Sequence, residues 1–442
     1  MLNKTHNLIT IIACFLLLVS CKENNEKIAF NKVLYSTNIV FRETPYSDMK
    51  GANEISKQEA QNINHFELSY DNLDRLTEIK YVLNGRVKPY YDRFVRAPHI
   101  KIEYNKNEEI RTFYNEHGHR TLVSGDVYEV RIKLSESGER EHLQFYDVKG
   151  NVIENDFGIA TYYWVKKDTN HIIEYRYDRK GNLQRNRPGF GYMITEFKFL
   201  NNGFLDIMTN LGESGEGPVV DKSGVVSTKI GYDEKGQFVQ WLNLDINLKP
   251  KKGMSNIAEI RYVQSRFIES DAEFIDENGN PQTTVWGAHI VKYSFDNYGN
   301  VIQRKYFGLD KQPINVTSDS INMIKTDWIN DGRYQVNRSY FNKQNQPVGI
   351  GENRIHQFRS TIIENKLISI ASYDLKNQLV NDKVTGFAIE KYTYDDKGRL
   401  IKRSFLDKNN KTVNHATLGV ANFNYEYNNK GELIDVTCYN AD

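Results

Sequence analysis

The chain has ten histidines, and only His117 and His119 stand close enough in sequence to share a metal ion. Two imidazoles on alternate strand positions can do so. These two flank Gly118 in a stretch that reads as a turn, so no metal site is expected. Asp276-Glu277-Asn278-Gly279-Asn280 has the acidic character of a calcium loop. Such a loop needs further oxygen ligands and a Glu six residues beyond its glycine, and position 285 is Val, so the aspartate is assigned to a turn. No Gly-x-Ser-x-Gly, His-Glu-x-x-His or phosphate-cradling Gly-Lys-Ser/Thr motif occurs. Asp and Glu are spread evenly through the turns and single out no acid–base pair. No catalytic residue, cofactor or metal is therefore expected; an enzyme would have to lie hidden in the irregular stretch 185–225. Aromatic rings remain. Trp164, Trp241, Trp286 and Trp328, with Tyr162 and Tyr163, are candidates for stacking on a ligand, against the competing reading that they pack between structural units.

The elements that would position these rings follow from composition and periodicity. The 442 residues carry 58 Lys and Arg against 57 Asp and Glu, a formal charge of +1, which argues against a nucleic-acid partner. A mean hydropathy of −0.63 excludes a polytopic membrane protein. The 12% aromatic content, with 28 Tyr and 22 Phe, excludes disorder.

One phrase recurs along the chain: an aromatic, Asp or Asn, two polar residues, Gly, a polar residue and an aliphatic. Clear copies run from Tyr146, Tyr177, Tyr232, Phe295, Tyr394 and Tyr427. A second phrase places Pro two residues after the Gly slot, best seen in Phe274-Ile275-Asp276-Glu277-Asn278-Gly279-Asn280-Pro281. Pro218, Pro250, Pro281, Pro313 and Pro347 lie 32, 31, 32 and 34 residues apart, and Leu379 and Thr412 continue the series. Upstream the series runs through Arg120, Val152 and Pro188 with a drift in spacing. The period of about 32 residues gives about eleven copies. Asp accepting hydrogen bonds from amides two or three residues on, with a left-handed Gly, describes a hairpin turn with a G1 bulge. Flanking residues alternate with period two, as in Ile173–Tyr177. A Gly-x-Ala phrase often enters the next strand.

The expected fold is all-β: an elongated antiparallel array of hairpins, a solenoid or long twisted sheet. One face should carry the Tyr, Phe and Ile rows and the other the Lys, Glu, Arg and Asn. The boundaries expected are a signal segment at 1–20, a tether at 21–45, an N-terminal cap at 46–79 with a short helix within 51–65, and the repeats at 80–442.

Two resemblances sharpen this. Leu8–Val19 is uncharged and too short to span a bilayer, and it ends in Leu18-Val19-Ser20-Cys21, which resembles the bacterial lipoprotein signal, or lipobox. The resemblance implies cleavage before Cys21 and its acylation with fatty chains such as palmitate. Lys22-Glu23-Asn24-Asn25-Glu26 resembles the surface-export signal of Bacteroidota lipoproteins. Of the three cysteines, Cys14 would be removed, Cys21 would carry lipid and Cys438 would stand alone, so no intrachain disulfide is expected. Tyr392-Thr393-Tyr394-Asp395-Asp396-Lys397-Gly398-Arg399-Leu400-Ile401 resembles the tyrosine–aspartate (YD, Rhs-type) repeat, which builds β-sheet shells in surface-contact and toxin-delivery proteins. The period of about 32 residues and the Pro-containing turn depart from that family. The repeats also run to the last residues, so a sealed toxin capsule is not implied. The sequence thus points to a lipid-anchored, non-enzymatic interaction scaffold of the outer membrane, exposed at the cell surface, with a protein or surface-glycan partner. The alternative is a carbohydrate-binding component of a glycan-uptake system.

Overall fold

A computed structural model describes residues 32–89, 97–187 and 190–441. The signal segment 1–20, Cys21 and Pro188 lie outside the described residues. Within them 28 strands form one antiparallel sheet, so the body is an all-β hairpin array.

The Asx corner recurs with nearly constant geometry. At Asp296, Oδ1 accepts from the amides of Tyr298 and Asn300, both at 2.9 Å. The Asp296 amide donates to the Asn300 carbonyl, and the Gly299 amide returns to the Asp296 carbonyl. Gly299 sits at φ +85°. Asp147, Asp178, Asp233, Asp395 and Asn428 repeat the side-chain pattern. The acceptor thus serves the amides two and four residues on, rather than two or three. The extra residue of the bulge turns the fifth amide back toward the carboxylate. A register shift beside the corner marks this bulge, as between Ser294 and Phe295 or Thr393 and Tyr394.

The second turn explains the proline spacing. Pro250, Pro281, Pro313 and Pro347 each form a single bridge to Leu244, Ile275, Phe307 and Phe341. At Pro281 the flanking bonds run from Asp276 N–H to the Asn280 carbonyl and from Gln282 N–H to the Phe274 carbonyl. No ladder bond needs the missing proline N–H, so proline costs nothing here. Leu379, Thr412, Arg120 and Leu183 fill the same slot. Leu183, rather than Pro188, is therefore the repeat position, and the step from Val152 becomes 31 residues.

The N-terminal region departs from the expected tether and cap. Residues 32–45 include a strand of the sheet, β1 (Lys32–Ile39), which pairs with β2 (Gly51–Ile55) and with β3 (His65–Tyr70). A Cβ at Gly51 would lie 2.7 Å from Ser36 Oγ, so this close approach needs glycine. The helix expected within 51–65 is a single turn, Lys57–Ala60, held by a Ser56–Glu59 capping box. Strand pairing claims Gly51–Ile55 first. The β3 strand joins β4 (Leu76–Leu83) through Tyr70-Asp71-Asn72-Leu73-Asp74-Arg75-Leu76, an Asx corner with Asp74 at φ +57° in place of glycine. The repeat begins there, not near residue 80. From β3 onward the main strands pair in succession to Leu433–Tyr439, leaving β2 and that last strand as the edges.

The ribbon winds back on itself. The Asn53 amide donates to the Lys235 carbonyl, and the Asn64 amide to the Tyr298 carbonyl, both at 2.8 Å. Farther on, Arg333 Nη2 donates to the Val87 carbonyl and Lys149 pairs with Asp435. The contact points advance together along both segments, so the described parts of 53–149 lie along 235–435. The inward face carries the core: Leu68, Ile79, Ile100, Ile132, Leu143, Phe197, Met208 and Ile230. It is not the purely apolar face that the alternation suggests. Glu109, Arg111, Glu174 and Arg176 are buried on it, because each charge meets an opposite charge on the same face.

Gly279 tests the corner rule: it sits at φ +85°, and a Cβ there would meet no atom within 4 Å. Asn already occupies that slot at Asn345, Asn377 and Asn410. Urea denaturation is expected to find Gly279→Asn within about 0.5 kcal/mol of the parent and Gly279→Val lower by about 1–2 kcal/mol.

Candidate functional site

The six aromatic candidates do not line one groove. Tyr162 and Trp164 face inward and are buried, with rings 6.2 Å apart. Trp164 Nε1 donates to Glu174 at 2.8 Å. Tyr163, one residue out of phase, is 47% exposed on the outer face. Trp241 stands edge-on to Phe41 and Phe190 and donates to Asn243 at 2.9 Å. Trp286 is half-buried between Phe274 and Tyr306. Trp328 donates to the Val301 carbonyl at 3.1 Å. Packing within and between units therefore occupies most of these rings.

What gathers the inward-facing ones is a segment that sequence patterning does not single out. The loop 40–50 between β1 and β2 lies on the concave face. Phe41 stacks on Phe238 at 4.6 Å, and Tyr46 packs against Trp164 and Phe199. Thr44 Oγ1 donates to Glu174. Glu43 accepts from Asn186 at 2.7 Å and from Arg187 at 2.8 Å. Beside this loop lies a cavity of about 700 Å³, walled by Phe41, Phe113, Val130, Leu143, Phe145, Tyr162, Phe238 and Trp241.

One end of the cavity is charged. Arg111 Nη2 meets Glu109 at 2.5 Å and Arg140 Nη2 meets it at 2.7 Å. Arg140 also reaches Asp48 and the Tyr46 carbonyl. Burial alone would raise the Glu109 carboxyl, but Arg111 and Arg140 outweigh it and hold it down at about 2. Arg42 lines the cavity, and its Nε and Nη1 are buried with no hydrogen-bond partner among the described residues. Burial, then the neighbouring Arg111 and Arg140, lower its pKa to about 9. Nothing in the local sequence marks this cluster, since Glu109 and Arg140 lie 31 residues apart.

A smaller pocket of about 300 Å³ holds Trp328 together with Asn64, Tyr81, Tyr293, Arg304 and Arg338. It lies where N-terminal residues between Thr37 and Tyr81 meet residues between Phe267 and Arg338. Arg304 Nε is buried there with no hydrogen-bond partner among the described residues. Beside it Lys88, fully buried, donates to Asn64 Oδ1 at 3.1 Å and to Asn300 Oδ1, with Nζ 4.4 Å over the Trp328 ring.

The remaining sequence candidates resolve into turns. His117 and His119 sit in the corner set by Asn115, whose side chain accepts from both of their amides. Asp276 Oδ1 is occupied by the amides of Asn278 and Asn280 at 2.8 Å. Among the described residues no group of three or more His, Cys, Asp or Glu converges. The stretch 185–225 contributes Asn186, Arg187, Tyr192 and Asp221 to the large cavity, with both Glu43 partners among them.

No protein-family model and no curated protein matches the chain. Solved structures similar to it include the crystal structures of TcdB2-TccC3 and TcdB2-TccC3-TEV, each 11% identical. They match 88% and 87% of this chain with TM-scores of 0.28 and 0.27. This chain spans about a quarter of their length: 25% of the first and 22% of the second. Likeness of that degree carries no argument about function.

Lys88 gives the winding a pH signature. Burial lowers its pKa from 10.5 to about 7, with nearby Asp296 opposing and Arg333 assisting. Between these two values the unfolded chain holds one proton more than the folded one, so stability rises with pH across that window. The rise from this group is expected to be on the order of 3 kcal/mol. Comparing denaturation at pH 7 and pH 9.5 should show it in the parent and a flatter profile in Lys88→Met.

Proposed function

We propose that this protein is a non-enzymatic binding scaffold, a variant of the YD-type hairpin repeat, held at the outer membrane by lipid on Cys21 and exposed at the cell surface. The observation that carries the reading is the cavity of about 700 Å³ with its aromatic and aliphatic wall, whose neighbouring carboxylates are already engaged. Glu109 is shared by Arg111 and Arg140. Glu174 is held by Arg176, Trp164 and Thr44, and Glu43 by Arg187 and Asn186. Carboxylates so tied hold structure and are poorly placed to exchange protons with a substrate. The lipobox resemblance supports the anchor: acyl chains contribute roughly 0.8 kcal/mol per buried methylene, and several chains would hold the body at a membrane.

The pocket at Trp328 favours a second reading, a carbohydrate-binding component of a glycan-uptake system. It combines aromatic faces with Asn and Arg donors, the mixture that suits sugar hydroxyls and rings.

Cys21→Ala is expected to move the protein from the membrane fraction to the soluble fraction, read by fractionation and immunoblotting; unchanged partitioning would refute the anchor. On a glycan array, binding abolished by Trp328→Ala would support the second reading, and an array without any bound glycan would remove it.

A further inference from the structure

We propose that the cavity behind loop 40–50 binds a monoanionic ligand with an apolar body, such as a medium-chain carboxylate, and seats its charge on the Arg42 guanidinium. The proposal rests on the reading of the array as a binding protein and is independent of the acyl anchor.

Charge accounting around Arg42 supplies the first argument. Arg42, Arg111 and Arg140 meet there, and the carboxylates nearby are Glu109 and Asp48. Glu109 is taken by Arg111 and Arg140 together, and Asp48 lies 3.1 Å from Arg140. Among the described residues one cation is left over. It is Arg42, with two buried guanidinium nitrogens that have no hydrogen-bond partner. Guanidinium stays protonated at neutral pH, and a buried charge without a counter-ion is strongly unfavourable. A single negative group would complete the cluster; a dianion would bring one charge too many.

The walls define the rest of the ligand. Beyond Arg42 and Arg111 the lining includes Phe113, Val127, Val130, Leu143 and Phe145. These offer contact to methylenes or rings, while Asn155, Asn186, Asp221, Thr228 and Asn243 put polar groups on other stretches of the wall. The volume of about 700 Å³ falls within the range of small-molecule sites. Met254 also lines the cavity and is 59% exposed, which puts an opening on its side. A guanidinium takes a carboxylate through charge-assisted hydrogen bonds; the two unpartnered nitrogens, Nε and Nη1, are buried and lie on different edges of the group.

The test uses the full-length chain carrying Cys21→Ser, so that no acyl group competes, in detergent-free buffer. Titration with dodecanoate is followed by tryptophan fluorescence, since Trp241 lines the cavity. Saturable binding is expected, at least about tenfold tighter than that of dodecanol, because only the acid pairs with the buried cation. Arg42→Met is expected to abolish that preference while still binding dodecanol. Equal affinity for acid and alcohol, or no saturable binding of dodecanoate, would overturn the proposal. The acid–alcohol comparison needs no change in the cavity, so it decides the matter even where Arg42→Met does not fold. Failure of membrane partitioning would bear on the anchor alone.

Discussion

The corner at each Asp or Asn is the constraint on which the rest depends. Its side-chain oxygen binds two amides of a five-residue turn, and the fourth residue is left-handed. This fixes how two strands leave the turn and inserts one bulge at a defined place. Register therefore recurs wherever the corner recurs, while the hairpins His99–Asn105/Glu108–Tyr114 and Ile355–Ile363/Lys366–Asp374 turn through two residues instead. A slip of one residue at any corner would turn its hydrophobic set outward. The second turn, bridged at the proline slot, then hands most hairpins to their neighbours; the turn at Pro218 lacks the bridge.

From recurring register follows a ribbon with one consistent inner surface, and bulges add twist that bends it. The bend brings the described parts of 53–149 onto 235–435 through backbone bonds such as Asn64 to Tyr298. It also creates an interior that a single layer of sheet cannot fill. Loop 40–50 supplies the filling: Phe41, Tyr46 and Met49 enter the core, and Glu43 and Thr44 meet partners more than a hundred residues away. What the loop leaves is the cavity at Arg42. The cavity is thus a by-product of closing a curved sheet around its own N-terminal segment.

The corners are the most legible part of the chain, because Asp-x-x-Gly has one strong physical meaning. Legibility fails where another residue takes the glycine slot. Asp74, Leu248 and Lys311 all adopt positive φ, and the Asp71 corner is hidden in the sequence because Asp74 stands in for glycine. The strand Glu108–Tyr114 shows a second limit. Ile110 is only half-buried there, while Glu109, Arg111, Thr112 and Phe113 are buried. An ion pair on one face can outvote a lone isoleucine, and Glu109 finds its second arginine 31 residues on. The inward arginines, and with them the candidate site, therefore depend on pairings that local pattern does not contain. The aromatic candidates are visible as residues, but their roles separate only once strand faces are known: Tyr162 and Tyr163 are neighbours on opposite sides of the sheet.

The most direct test of this account is whether the ribbon closes on itself. The Asn64 amide and the Tyr298 carbonyl are hydrogen-bonded, 234 positions apart in the chain. A chain carrying Asn64→Cys and Tyr298→Cys, with Cys14, Cys21 and Cys438 replaced by serine, can be oxidised under native conditions and analysed by peptide mass spectrometry. A wound sheet predicts an intramolecular cross-link between the two positions. Native, monomeric protein that forms no such link under oxidation would contradict the winding and the cavity that depends on it.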